Sequence, residues 1–197
     1  MKIGLYFGSF NPIHMGHLII AHHMVEFSDL DKIWFVVSPH NPFKKKETLL
    51  PDHHRLELVQ LALKDFDKLE ASNIEFGLKK PSYTIDTLAY ISEKHSNHEF
   101  SLIMGGDNLT SFHKWKNYET ILEHHHIYVY PRTTGEPCEL DTHPSITIVK
   151  SAPMMQISSS FIRKSIADNK DIRSMLPKTT WNFIDEMNFY RPKPKIN

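Results

Sequence analysis

Apolar runs of strand length alternate along this chain with longer segments of helical periodicity, and no other feature limits its fold as much. IGLYF from Ile3 is followed by a helical segment starting near His14, and KIWFVV from Lys32 by a Pro- and Lys-containing loop, SPHNPFKKKETLLP. A helix comes next, with Asp52 the expected N-cap and Leu56, Val59, Leu61 and Leu63 the expected buried side. NIEFGL reads as a short strand, YTIDTLAYISEKH as a helix with Ile85, Leu88 and Ile91 at helical spacing, and FSLIM from Phe100 as a strand. YETILEH is a short helix, HIYVYP and SITIVK are strands, and SSSFIRKSIAD is a helix. The last helix, TTWNFIDEMNFY, is expected to bury Trp181, Ile184 and Met187. Strands that alternate with helices pair in parallel and need cover on both faces. The expected fold is α/β: a doubly wound, mostly parallel sheet with helices on both faces. No fixed-period repeat or linker divides the chain, so residues 1–190 read as one domain. The polar, Pro-containing tail at residues 191–197, RPKPKIN, is expected to be disordered.

Charge is balanced, with 23 Lys and Arg against 23 Asp and Glu, so no nucleic-acid groove or anionic membrane surface is expected. An anionic ligand would then be held locally, by a few placed groups. Cys138 is the single cysteine, which excludes an intrachain disulfide and fits a reducing compartment. MKIGLYFGSF has too short an apolar run for a signal peptide, and no stretch approaches the roughly 20 apolar residues of a membrane span. A soluble, cytoplasmic protein is expected.

The unusual residues fall in a pattern. GSFNPIHMGH follows IGLYF, SPHNPFKKK follows KIWFVV, GGDN follows FSLIM, and QISSSFIR follows SITIVK after a short connection. Open parallel sheets bind ligands at the carboxyl ends of their strands. Four separate segments therefore bring special chemistry to one edge.

In GSFNPIHMGH, Gly8 can take backbone angles closed to other residues and let a ligand approach the main chain, and Pro12 stiffens the entry to a helix. His14 and His17 are three apart and, on a helix, share one face with Cβ atoms roughly 5–6 Å apart. That face lies at a helix N-terminus, where N–H groups and the dipole favour an anion. Gly16 costs about 1 kcal/mol relative to Ala inside a helix, which implies close approach by a strand or a ligand. In a chain with 14 histidines, two of them could be incidental. The strand–turn–helix context favours a phosphate site instead. Zinc would need three or four ligands, and no nearby Cys or carboxylate completes such a set. Ser158 and Ser159 suit a helix N-cap with an anion site behind it. Arg163, one turn further on, can reach the same anion in bidentate fashion, although a serine run by itself fits an ordinary capped helix with a solvated Arg.

GSFNPIHMGH resembles the Gly-x-Phe-x-Pro-x-His-x-Gly-His signature of the nucleotidyltransferase superfamily, and QISSSFIR its second signature, Ile-Ser-Ser-Thr-x-Ile-Arg, with Ser160 in the Thr place. The middle segments PSYTIDTL, GGDNL and FHKWKNYETIL resemble the nicotinate mononucleotide adenylyltransferase branch. The resemblance covers the chain as far as NFYR, with the motifs in order. It implies a Rossmann-like fold and an enzyme of NAD biosynthesis that joins nicotinate mononucleotide to ATP, giving deamido-NAD and pyrophosphate. His14, His17 and Arg163 would be the catalytic clamp. ATP would meet Gly8, Ser9, Phe10, His14, Gly16, His17, Gly106, Ile157, Ser158, Ser159 and Arg163. The mononucleotide would meet Lys44, Tyr83, Thr84, Asp107, Trp115 and Arg132. In this picture Trp115 stacks on the pyridine ring, N–H groups near Thr84 receive the nicotinate carboxylate, and Asp107 accepts from ribose hydroxyls. Mg²⁺ would ride on the ATP phosphates, with no protein metal site and no tightly bound cofactor.

Two departures stand out. The family's Thr–Phe–Asp–Pro is Ser9–Phe10–Asn11–Pro12 here, and its Arg-Pro-Gly loop is Arg132–Thr133–Thr134–Gly135. Lys44, Lys45 and Lys46 lie in a loop facing the expected site, where one could meet a phosphate, but a Lys run is usually solvated. The histidine tract 124–126 is not expected to converge on one ion, because successive strand side chains alternate faces. Nicotinamide mononucleotide or phosphopantetheine as acceptor, a non-catalytic nucleotide sensor, and a homo-oligomer all remain open on the sequence.

Overall fold

Among the described residues, six strands form one parallel sheet: β1 (Lys2–Gly8), β2 (Lys32–Val37), β3 (Leu69–Ser72), β4 (Glu99–Gly105), β5 (Ile127–Tyr130) and β6 (Ile146–Ile148). They lie in the order β3-β2-β1-β4-β5-β6, every neighbouring pair being parallel. This is the computed structural model of the chain, and it describes residues 1–39, 49–131 and 138–192. Lys44, Lys45, Lys46 and Arg132 lie outside the described residues.

The helices are α1 (Met15–Phe27), α2 (Asp52–Leu63), α3 (Thr84–Lys94), α4 (Gly106–Thr110), α5 (Tyr118–His124), α6 (Ser159–Ala167) and α7 (Lys178–Glu186). Strand side chains alternate between faces, and the core divides accordingly. Tyr6, Ile33, Phe35 and Val37 join Ala21, Met24, Leu58, Ile162 and Ile184 on one face. Ile3, Leu5, Val36 and Leu102 join Leu88, Ile91, Phe112 and Ile121 on the other. The doubly wound expectation is met, with α1, α2, α6 and α7 on one side and α3 and α5 on the other.

Local details differ from the sequence reading. NIEFGL is not a strand: Ile74–Gly77 form a 3₁₀ turn, and the third strand is the preceding LEAS. The reason lies in Glu75, which is buried and accepts a hydrogen bond from Thr87 Oγ1 at 2.8 Å. That bond fixes the turn against α3. Pro51, not Asp52, occupies the N-cap of α2. Its buried residues are Arg55, Leu58, Val59, Ala62 and Leu63, so the stripe is rotated from the expected one and Leu56 and Leu61 are only half-buried. In α7, Ile184 is buried but Trp181 is half-buried and Met187 is 41% exposed. Met187 stands at the C-cap, beyond the turn that packs. Among the described residues, no helix is long and apolar enough to cross a membrane.

Strand order reverses between β1 and β4, which run side by side with Tyr6 level with Ile103. Such a switch point opens a crevice at the carboxyl ends of its strands. The first signature leaves β1 there, and Gly106 and Asp107 leave β4.

Candidate active site

The turn after β1 is built around Phe10. Its φ is 44°, a left-handed conformation that costs a non-glycine residue of order 1–3 kcal/mol. The ring is 2% exposed, with its centroid 5.8 Å from Tyr6, 5.3 Å from Phe35 and 5.2 Å from His17. The Phe10 ring therefore packs inside the turn and presents no face to a ligand. No glycine among the described residues has a positive φ, so Gly8 does not use the conformational freedom expected of it. A Cβ at Gly8 would lie 2.9 Å from the Phe10 ring, and a Cβ at Gly16 would lie 3.1 Å from the His14 ring. Both glycines make room for aromatic groups of the site itself.

His14 is the N-cap of α1, with extended backbone angles, and His17 lies in the first helical turn. Their rings stack with centroids 3.7 Å apart and planes 23° apart. The His14 N–H donates to His17 Nδ1 at 3.2 Å. A ring nitrogen that accepts cannot carry the proton, so the His17 proton is on Nε2.

α6 is seated on this turn. Ser158 caps it, its side chain accepting from the Phe161 N–H at 3.2 Å. Ser159 Oγ donates to the Pro12 carbonyl at 2.9 Å, and Arg163 Nη1 to the Asn11 carbonyl at 2.7 Å. Arg163 Nη2 also reaches Ser160 Oγ at 3.2 Å. Two helix N-termini, two imidazoles and a guanidinium thus share one place, a combination suited to a polyanion.

A second group lies on α3 and the segment before α5. Tyr83 caps α3, Thr84 is its first residue, and Trp115 follows a 3₁₀ turn at Phe112–Lys114. Trp115 is half-buried, its ring centroid 5.1 Å from that of Phe112. Lys116 joins the two segments. Its Nζ lies 3.1 and 3.2 Å from the Asp86 carboxylate oxygens and 4.6 Å from the Tyr83 ring centroid. Asp107 is exposed in the first turn of α4.

The sequence reading missed Arg55, whose side chain is fully buried. Its guanidinium donates to the carbonyls of Leu50 (3.0 Å), Ser9 (2.7 Å), Ser38 (2.9 Å) and Pro39 (3.1 Å) and to Asp52 Oδ1 (2.6 Å). Burial lowers its pKa, and the Asp52 carboxylate works in the opposite direction. Arg55 ties together the segments leaving β1 and β2 and the entry to α2. An arginine in register with Leu58, Val59 and Ala62 is the signal that could have marked it. Tyr190 and Lys116 were missed as well, and no local pattern distinguishes them, while Asn11 stands out in the sequence only as a departure within the first signature.

The histidine tract diverges. His125 Nδ1 is 3.0 Å from the Phe100 carbonyl, and His126 Nε2 is 2.8 Å from Thr147 Oγ1. His124 lies 3.8 Å from Glu123.

The Cytidylyltransferase-like family model matches residues 5–165. A Flavobacterium johnsoniae protein named "Probable nicotinate-nucleotide adenylyltransferase" is 60% identical over 193 residues, covering 97% of this chain and 100% of the relative. A Cytophaga hutchinsonii protein of the same name is 49% identical over 190 residues, covering 96% and 98%. The fold is similar to that of Plasmodium falciparum nicotinic acid mononucleotide adenylyltransferase complexed with NaAD, with a TM-score of 0.81 at 22% identity over 96% of this chain and 97% of that one. The same Plasmodium enzyme complexed with APC gives a TM-score of 0.79 at 21% identity, with 96% of both chains covered.

Proposed function

Since this chain belongs to the cytidylyltransferase-like family and, within it, to the nicotinate-nucleotide adenylyltransferases, we propose that it transfers the adenylyl group of ATP to nicotinate mononucleotide. The products are deamido-NAD and pyrophosphate. The observation that carries the reading is the junction of the two signatures, in which Ser159 and Arg163 are bonded to the carbonyls of Pro12 and Asn11.

The 5′-phosphate oxygen of the mononucleotide attacks the α-phosphorus in line, the bond to the bridging oxygen breaks, and pyrophosphate leaves with that electron pair. The attacking phosphate is already anionic at neutral pH, so the reaction needs orientation and charge stabilisation more than a base. His17 Nε2–H, Arg163 and the N–H groups that open α1 and α6 are the donors assigned to the phosphate oxygens. The stack of His14 on His17 holds that imidazole at the start of α1. Trp115 is assigned to the pyridinium face, a cation–π contact of about 0.5–2 kcal/mol. The first N–H groups of α3 are assigned to the nicotinate carboxylate, and Asp107 to a ribose diol.

Mg²⁺ belongs to the reading as the metal of the ATP complex. The donors gathered at the turn suit anionic oxygens, so the ion would be held by phosphate oxygens and water. Its chemistry there is neutralisation of phosphate charge. The single cysteine, Cys138, agrees with a reducing cytoplasm.

Incubation of the protein with ATP and, in parallel, nicotinate mononucleotide, nicotinamide mononucleotide or phosphopantetheine tests the proposal. Pyrophosphate release is expected to be fastest with the nicotinate form. Faster release with either other acceptor would overturn the substrate assignment.

A further inference from the structure

Tyr190 returns to the opening turn from the far end of the chain. After α7, Asn188 and Tyr190 both take left-handed backbone angles, with φ of 53° and 65°, and the Phe189 N–H donates to the Ile184 carbonyl at 3.0 Å. Asparagine tolerates that region, but a bulky residue occupies it only where surrounding contacts hold it. The contact here is specific. The Tyr190 hydroxyl donates to Asn11 Oδ1 at 2.8 Å, across 179 positions of sequence. The same oxygen accepts from the Leu50 N–H at 3.2 Å, and the Asn11 carbonyl accepts from Arg163 Nη1 at 2.7 Å. Burial raises the phenol far above its usual range, against the pull of Arg163 and Arg55, so it remains a donor.

We infer that Tyr190 is a positioning residue for the triphosphate site: by fixing Asn11, it fixes the carbonyl on which the Arg163 guanidinium is seated. The inference rests on the proposed role of Arg163 as a phosphate ligand. Tyr190 itself touches no reacting atom. The Tyr190 and Phe189 rings pack edge to face, centroids 6.3 Å apart, and Tyr190→Phe keeps that packing while removing the hydroxyl.

The test compares wild type with Tyr190→Phe by titration with a non-hydrolysable ATP analogue and by steady-state kinetics. Analogue affinity and kcat/KM for ATP are expected to fall roughly threefold to tenfold, the span of one neutral hydrogen bond. KM for the mononucleotide should stay within about twofold, and the melting temperature within about 4 °C. Asn11→Ala removes the same bond from its other side, so adding Tyr190→Phe to it should cause no further loss. Unchanged ATP binding in Tyr190→Phe would overturn the inference. So would equal weakening of both substrates, or additive effects in the double variant. If wild type binds the analogue but makes no dinucleotide, the proposed reaction fails, while the binding comparison still decides the role of Tyr190.

Discussion

The Asn11 carbonyl accepts a hydrogen bond from Arg163 Nη1 at 2.7 Å, across 152 positions of sequence. That bond ties the guanidinium on α6 to the turn that follows β1. The expected consequence is weaker ATP binding together with a larger loss in the chemical step. Arg163→Ala should lower kcat by roughly 10²–10³, the scale of one lost transition-state donor. Arg163→Lys should recover only part of it, because an ammonium cannot keep both the Asn11 and the Ser160 bonds while facing a phosphate. Full kcat in either variant, measured by single-turnover pyrophosphate release, would contradict the assignment.

Trp115 and Lys116 should separate the two substrates. Trp115→Ala is expected to raise KM for the mononucleotide by roughly 2- to 30-fold, the equivalent of about 0.5–2 kcal/mol of cation–π contact, and to leave KM for ATP nearly unchanged. Lys116→Met should produce a smaller effect in the same direction, since its pair with Asp86 is solvent-exposed and such pairs contribute about 1 kcal/mol or less. Initial-rate measurements with each substrate varied would show whether the effects divide in this way.

Arg55 makes a prediction about stability. Arg55→Ala leaves the carbonyls of Ser9, Ser38, Pro39 and Leu50 without their shared donor and the Asp52 carboxylate without this partner. Breaking a buried, hydrogen-bonded charge pair costs about 3–5 kcal/mol. Urea unfolding should register a loss of that size, and a loss below about 1 kcal/mol would show that the segments hold together without Arg55.

These residues also mark where the sequence was legible. The strands of the sheet could be read because apolar runs such as IGLYF and KIWFVV need no context to be recognised. β3 could not, because LEAS has one buried residue, Leu69, and takes its strand form from pairing with β2. The histidines and Arg163 are carried by contiguous motifs. Arg55, Asn11 and Tyr190 act through contacts between distant segments, and the register of Arg55 with Leu58, Val59 and Ala62 marks it as buried without saying which carbonyls it holds. Gly8 and Gly16 stand out in the sequence as places of close approach, and in the structure the groups beside them are the rings of Phe10 and His14.

Asp29 gives a pH-dependent prediction away from the site. Its carboxylate pairs with Lys2 at 2.6 Å and accepts from the Tyr128 hydroxyl. Lys2, then Tyr128, lower its pKa to about 2. A carboxylate whose folded pKa is depressed adds stability above its unfolded pKa and loses it as pH falls through the folded value. Asp29→Asn should therefore be less stable than wild type at neutral pH, by about 1 kcal/mol or less because the pair is exposed. That difference should shrink as pH falls from about 4 towards about 2. A gap that stays constant over that range would show that the Asp29 charge contributes nothing.

His17→Ala should also lower the single-turnover rate by roughly 10²–10³, while the protein retains nicotinate mononucleotide binding. The most direct test of the central claim follows the phosphates of ATP themselves. With nicotinate mononucleotide as acceptor, label on the α-phosphate is predicted to appear in deamido-NAD, and label on the γ-phosphate in pyrophosphate, in equal molar amounts. Release of the γ-label as inorganic phosphate, with no α-label in a dinucleotide, would contradict it.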